Sequence, residues 1–408
     1  MRYKKPNIVC YRIAQLVCEV VARLFFKRTI IRNEIKNKKG PFVVIANHQA
    51  QYDFANLMGV RKEPMSFVIS NSFYSSMPLK SFFDKLGVIP KQQFQTTVSD
   101  MRNMKAVIDE GQSLVIYPAG LMCEDGISTP IPQATYKFLK WLGADVYVAR
   151  SYGTYFAMPK WSKGIRRGKT YLDIYRLFTS EELKNADIEE VKAKTDDALL
   201  FDAYREQEDK KTVFAKKGNI EGIENVLYMC PHCKSEYCMN VKDSNTIYCS
   251  KCGYEQYSDE YSFLHKKSEM GEEIRYVSDW SRLIYSSLKE KIEKDSSFFI
   301  TSHTIIKMID GKKHKFQIVG NGNVILDREG FTIKGEINGK EQEIFVSING
   351  IPTLPFSPGK HFEIQSGDLI YRCVLSDSRL VMKFINAVKI FYELKNKETQ
   401  GIKIMSEK

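Results

Sequence analysis

Apolar positions recur along this chain in two rhythms. Residues 6–28 read as a helix: Arg12, Gln15, Glu19 and Arg23, three to four residues apart, form one narrow polar stripe, and nearly everything else is apolar. Lys4, Lys5, Lys27 and Arg28 flank it. Such a helix either packs into a core or lies in a bilayer interface with its cationic ends at the headgroups. After a basic loop at 31–40, unalternating apolar runs of strand length follow at 41–46, 65–70, 113–117, 145–150 and 170–178. Helical spacing lies between several of them, around 54–60, 78–86, 99–110 and 133–142. Strands of this kind separated by helices predict an α/β layer with a mostly buried mixed sheet.

Thr179 and Glu182 have the spacing of a capping box, which opens a charged helical arm over 179–217. From Gly218 the texture changes. Paired cysteines occupy 226–257, and residues 296–376 alternate like strands. Asn321-Gly322-Asn323, Asn338-Gly339 and Asn349-Gly350 are expected hairpin turns within that stretch. An apolar-periodic helix at 378–394 closes the pattern. This layout, an antiparallel β domain capped by a C-terminal helix, resembles a pleckstrin-homology-like module. The expected division is 1–217, 226–260 and 272–396.

Composition narrows the class. With 408 residues, 43% of them hydrophobic, the chain can bury more than one core, which excludes wholesale disorder. No uncharged apolar stretch reaches the ~18–20 residues of a membrane span, so a multi-span protein is not expected. Arg12, Glu19 and Arg23 interrupt the first apolar stretch, so no cleaved signal is expected either. The net charge of +12 is uneven. Residues 1–176 hold 27 Lys+Arg and 12 Asp+Glu, a net of +15, whereas 177–225 carry −5 and 226–408 carry +2. The partner of the N-terminal part should therefore be anionic: phospholipid headgroups, a phosphorylated substrate or nucleic acid.

Candidate chemistry begins where the first strand ends, at Asn47-His48 with Asp53 five residues after the histidine. On one continuous helix that spacing sets His48 and Asp53 roughly 140° apart. They pair only if His48 lies in the turn after the strand and Asp53 on the first turn of the next helix. There the carboxylate accepts the Nδ1–H and leaves Nε2 free to take a proton from a hydroxyl nucleophile.

At this point the sequence resembles the glycerolipid (lysophospholipid) acyltransferase family, whose first motif is Asn-His-x4-Asp after a strand. The resemblance covers roughly residues 1–215. The second block is similar to residues 86–94, with Gly87 and Ile89 in place. The third, Phe-Pro-Glu-Gly and a polar turn, is similar to Tyr117-Pro118-Ala119-Gly120 running on to Gly126. The fourth is faintly echoed at 146–161. The family implies that His48, oriented by Asp53, deprotonates an acceptor hydroxyl that attacks the thioester of acyl-CoA or acyl-carrier protein. It also implies a substrate-binding set of Asn47, Gly87, Lys91, Tyr117, Pro118, Gly120 and Glu124. Two departures stand out. Ala119 replaces the family's Glu, for which Glu124 or Asp125 would have to stand in, and Lys91 is the nearest basic residue to the Arg of the second block.

Cys230, Cys233, Cys249 and Cys252 form two Cys-x-x-Cys pairs, fifteen residues apart, with Gly253 after the second. Each pair is a knuckle offering two thiolates, and two knuckles make a closed tetrahedral site, the pattern of a structural zinc ribbon in a reducing compartment. His232 and Cys238 read as bystanders, and Cys373 as core.

The expected function is an O-acyltransferase that moves a fatty acyl group to a hydroxyl of a lysophospholipid or related acceptor. It would sit peripherally on the cytoplasmic face of a membrane, on an anionic surface. An inactive lipid-binding relative is one alternative. A zinc-ribbon nucleic-acid-binding protein is another, set aside with no nucleic acid expected, because the ribbon carries little of the positive charge.

Overall fold

The computed structural model describes residues 3–76, 80–93, 97–214, 219–310 and 315–406. In chain order the first elements are α1 (Ile8–Leu24), β1 (Thr29–Asn33), β2 (Phe42–Ala46), α2 (Asp53–Met58), β3 (Met65–Ser70), α3 (Asn71–Ser76) and α4 (Lys80–Lys85). Then follow β4 (Ile89–Lys91), α5 (Val98–Asp109), β5 (Ser113–Ile116), α6 (Ala134–Leu142), β6 (Asp145–Tyr152), α7 (Thr154–Ala157) and β7 (Tyr171–Phe178). The seven strands form one mixed sheet in the order β1-β7-β6-β2-β5-β3-β4. Every neighbouring pair is parallel except β6 and β7. The central β2 is buried at every position, which is why its apolar run does not alternate. Apolar side chains of α1 and α2 cover one face of the sheet, and those of α5 and α6 the other.

Two strands escaped the sequence reading. β1 begins before the expected loop and runs into it as an exposed edge, and β4 is a three-residue edge strand without a periodic signal. The charged arm is three helices, α8 (Ser180–Asn185), α9 (Ile188–Leu199) and α10 (Ala203–Lys210). The capping box opens the first, with Thr179 Oγ1 accepting from the Glu182 N–H at 3.1 Å and Glu182 Oε2 from the Thr179 N–H at 2.7 Å. Asp187 and Asp202 cap the other two and so restart the helix twice.

α1 is pinned to the sheet by polar contacts. The Tyr11 hydroxyl donates to the Met65 carbonyl at 3.1 Å and accepts from the Met65 N–H at 2.9 Å. Gln15 Nε2 donates to the Met58 and Arg61 carbonyls at 3.2 and 2.8 Å. Part of the polar stripe thus faces the protein. Val9, Ile13, Leu16, Val17, Val20 and Leu24 are left exposed, at helical spacing along the outer face. Among the described residues no helix is long and apolar enough to cross a membrane.

Beyond the arm lie β8 (Met239–Lys242), β9 (Thr246–Cys249), β10 (Glu255–Ser258) and β11 (Leu264–Lys266), an antiparallel sheet in the order β11-β10-β9-β8. Next come α11 (Val277–Lys294), β12 (Ile300–Asp310), β13 (Lys315–Leu326), β14 (Gly330–Ile337) and β15 (Lys340–Ser347). β16 (Phe356–Ser357), β17 (His361–Ser366), β18 (Leu369–Leu375) and α12 (Val381–Ser406) complete the chain. These last strands form a second antiparallel sheet, ordered β15-β14-β13-β12-β18-β17-β16.

Three differences from the sequence reading concern this part. α11 was not foreseen, although its buried Trp280, Ile284, Leu288 and Ile292 recur every four residues. Asn338-Gly339 does turn a hairpin, with left-handed φ of 52° and 75°, but Asn321-Gly322-Asn323 lies inside β13. Glycine serves close strand crossing there: a Cβ on Gly322 would sit 2.9 Å from Gly335 Cα on β14. Asn349-Gly350 turns the chain with Gly350 at φ 79°, but into the connection to β16, which does not pair with β15. One apolar cluster joins Leu121, Cys123, Tyr155 and Trp161 of the first part to Tyr228, Trp280, Ile306, Cys373, Phe384 and Phe391.

Candidate active site

β2 lies between β6 and β5, so the chain leaving its carboxyl end emerges at the middle of the sheet edge, where ligands of open α/β sheets collect. Asn47 is the first residue out. Its buried amide accepts from the Ser151 N–H at 2.8 Å and donates to the Ser151 carbonyl at 2.9 Å, on the neighbouring β6. Gln49 anchors the turn a second time, its Oε1 accepting from Thr154 Oγ1 at 2.9 Å and from the Tyr155 N–H at 3.2 Å.

Between these anchors His48 faces Asp53, the first residue of α2. His48 Nδ1 is 2.9 Å from Asp53 Oδ2, which also accepts from the Gln49 and Ala50 N–H groups at 2.7 and 2.9 Å. A carboxylate oxygen can only accept, so the neutral imidazole that makes this hydrogen bond carries its proton on Nδ1 and leaves Nε2 without one. The His48 side chain is 21% exposed and that of Asp53 1%, so a substrate can reach the histidine alone. The arrangement is a part-exposed imidazole held by a buried carboxylate.

Tyr117 follows β5 and lies against the histidine, ring centroids 4.6 Å apart. Burial, then the Asp53 carboxylate, pushes its phenol well above the ordinary range, so it stays protonated at neutral pH. Pro118 is buried, and Gly120, with φ 70°, offers its carbonyl to Gln93 Nε2 at 2.9 Å. The second-block residues sit farther off, since β5 and β3 stand between β2 and β4. Gly87 precedes the amino end of β4, and a Cβ there would be 2.7 Å from Pro6 Cγ: its bareness lets the segment leading into α1 cross it. Lys91, at the carboxyl end of β4, donates to the Gln92 carbonyl at 3.0 Å, and burial pulls its ammonium below the ordinary lysine range. Phe94 of the same block lies outside the described residues.

Glu124 is paired with the C-terminal helix. Its buried carboxylate accepts from Lys389 on α12 at 2.5 Å. Burial alone would raise that carboxyl, but the Lys389 and Lys160 ammoniums outweigh it and hold it below its usual range. Beside it, burial and the Glu124 charge push Asp125 up to about 6, and burial lowers Lys160 to about 8. Sequence reasoning missed Gln49, Ser151 and Thr154. They lie in the motif's spacer and in the weak fourth block, where polar residues directly after two apolar runs were the available signal. Nothing local pointed to Lys389.

A second cluster lies in and beside the β8–β11 sheet, the cysteine sheet. The Sγ atoms of Cys230, Cys233, Cys249 and Cys252 all fall within 4.8 Å of one another. Cys230 and Cys252 are 3.7 Å apart, Cys233 and Cys249 3.8 Å. Four sulfurs about 2.3 Å from a central zinc lie about 3.8 Å from each other, so the donor set and its spacing fit a tetrahedral metal. Cys238 Sγ, 3.4 Å from Cys249 Sγ, stands next to the four as a fifth thiol.

Residues 27–157 match the family model described as Acyltransferase. Among solved structures, the chain is similar to the 1-acyl-sn-glycerophosphate (LPA) acyltransferase PlsC from Thermotoga maritima. That pair is 18% identical with a TM-score of 0.40, covering 46% of this chain and 76% of that one. It is also similar to the Dm DCP1 EVH1 domain solved with the XRN1 DBM peptide, at 11% identity and a TM-score of 0.20, over 32% of this chain and 97% of that one. No curated protein matches the chain. Residues 27–157, which carry His48, Asp53 and Tyr117, are a domain of the acyltransferase family.

Proposed function

We propose that the protein is an O-acyltransferase that moves a fatty acyl group from acyl-CoA or acyl-carrier protein to a hydroxyl of a lysophospholipid or related acceptor. The observation that carries this reading is the His48–Asp53 pair, with the imidazole part-exposed at the carboxyl end of β2 and the acid buried behind it. His48 Nε2 takes the acceptor's hydroxyl proton as the oxygen attacks the thioester carbonyl. When the tetrahedral intermediate collapses, the C–S bond breaks and the proton leaves with the thiolate. Asp53 keeps the imidazole oriented and stabilises its cationic form. Asn47 acts by holding the turn, since both of its amide atoms are engaged by Ser151. Tyr117, Pro118 and Gly120 form the wall of the acceptor site, and Lys91 contributes positive charge at its margin.

In this reading residues 1–217 do the chemistry, 226–260 form a ribbon stabilised by zinc, and 272–396 are an accessory β domain. The protein docks on the cytoplasmic face of a membrane through the apolar outer face of α1, helped by the basic N-terminal part, and needs no nucleic acid. A lipid-binding relative without chemistry is the second reading, favoured by one feature: Ala119 stands where the family has Glu, and Glu124 is taken up by Lys389. Purified protein incubated with acyl-CoA or acyl-carrier protein and a panel of lysolipids decides between them. Release of free thiol with a matching acylated product supports the enzyme, and absence of both across the panel overturns it.

A further inference from the structure

We propose that Lys389, on α12, is a positioning residue for the loop 117–126, so that the C-terminal β domain completes the acyl-transfer site. The inference rests on the acyltransferase reading above. The loop has two ends. At one, Tyr117 lies against His48, ring centroids 4.6 Å apart. At the other, Glu124 is bound by Lys389 at 2.5 Å, across 265 residues of sequence. The contact is sheltered: the Glu124 side chain is 9% exposed and that of Lys389 28%.

Four further contacts lie at this joint. Lys160 Nζ reaches the Met122 carbonyl at 3.4 Å and lies 3.3 Å from the centroid of the Phe356 ring on β16. Leu121 and Cys123 share an apolar cluster with Phe384, Ala387, Val388 and Phe391 of α12. The Asp125 carboxylate accepts from the Ile127 N–H at 3.0 Å, closing the turn. With Lys389 gone, Glu124 would be a buried carboxylate left to Lys160, and the loop would rearrange to find water or a new partner. Tyr117 is seven positions away on the same loop, so the movement is passed to the wall of the histidine's site. Displacements of an ångström there cost up to ~10²-fold in rate.

The test compares full-length wild type with Lys389→Met and Lys389→Arg, first checking that each retains its metal and melts as a folded protein. Two readouts follow: thiol-release kinetics, and hydrogen exchange of the amides of 117–126. Lys389→Met is expected to lower kcat about tenfold or more, leave the KM for the thioester donor unchanged, and speed exchange in 117–126 without speeding it in the cysteine sheet. Lys389→Arg should recover most of both. A folded Lys389→Met with wild-type kcat and wild-type exchange in 117–126 overturns the proposal. If Lys389→Met does not fold, Glu124→Asp, which keeps both charges but shortens the reach, is judged by the same two readouts. If the wild type transfers no acyl group to any acceptor, the acyltransferase reading fails, and the exchange measurement still decides whether Lys389 holds the loop.

Discussion

The side-chain amide of Asn47 meets the backbone of Ser151 twice, accepting from its N–H at 2.8 Å and donating to its carbonyl at 2.9 Å. This clamp sets where His48 emerges from the sheet. Asn47→Ala would leave a buried N–H and a buried carbonyl without partners, at a cost of about 1–3 kcal/mol each. We expect a lower melting temperature together with a reduced kcat for thiol release. Unchanged kcat in the folded variant would separate the clamp from catalysis.

His48→Ala removes the proton acceptor and little packing. Transfer should fall by ~10²–10⁴-fold, with vesicle binding and melting temperature near wild type. Asp53→Asn should be damaging but milder, because the amide oxygen can still accept from the Gln49 and Ala50 N–H groups, yet carries no charge to stabilise the imidazolium. Wild-type turnover by His48→Ala on any acceptor the native protein uses would remove His48 from the mechanism.

Purified protein should carry about one zinc per chain, and Cys230→Ser or Cys249→Ser should lose it. Binding the ion and folding the ribbon are one event, so a chelator should open 226–260 to protease. The damage should spread to α11, because Trp280 Nε1 donates to the Met229 carbonyl at 2.9 Å, next to the first knuckle. Identical protease patterns with and without chelator would rule out a structural metal.

Leu16 and Val17 lie on the outer face of α1, 68% and 58% exposed, away from the contacts that pin the helix. Leu16→Glu with Val17→Glu should leave melting unchanged and weaken binding to anionic vesicles at least tenfold, since charge replaces apolar area meant for the interface. Binding by the wild type should also fall as salt is raised. Equal vesicle binding by the variant and the wild type would assign the exposed stripe another role.

Asp125 supplies a pH signature. Its folded value, raised to about 6 from 3.8, means the folded protein holds this proton more tightly than the unfolded chain does. The stability it contributes is fully present below about pH 4 and is lost as pH rises to about 6. Asp125→Asn has no proton to lose, so its melting temperature minus that of the wild type should climb between these pH values and level off above them. A difference that stays flat would mean that Asp125 titrates normally. Taking the difference cancels the carboxylates and any metal loss common to both proteins.

Local signals carried the sequence reading. The unalternating run of β2, the capping box at Thr179, the Asn338-Gly339 turn and the two cysteine knuckles each depend on residues a few positions apart, and each formed as expected. The His48–Asp53 contact belongs with them, because a turn followed by one helical residue suffices to close it. What the tertiary structure decided are the choices local chemistry leaves open. A helix that is apolar nearly all round does not announce which face it buries, and the Tyr11 and Gln15 bonds to distant carbonyls settled that for α1. Asn321-Gly322-Asn323 satisfies a turn and a close strand crossing equally well, and Gly335 on the neighbouring strand chose the crossing. The partner of Glu124 lies 265 residues away, and no spacing in the chain encodes it. That pairing follows only from the packing of the loop and α12 in one apolar cluster, which brings the carboxylate and the ammonium together and shelters the carboxylate from water.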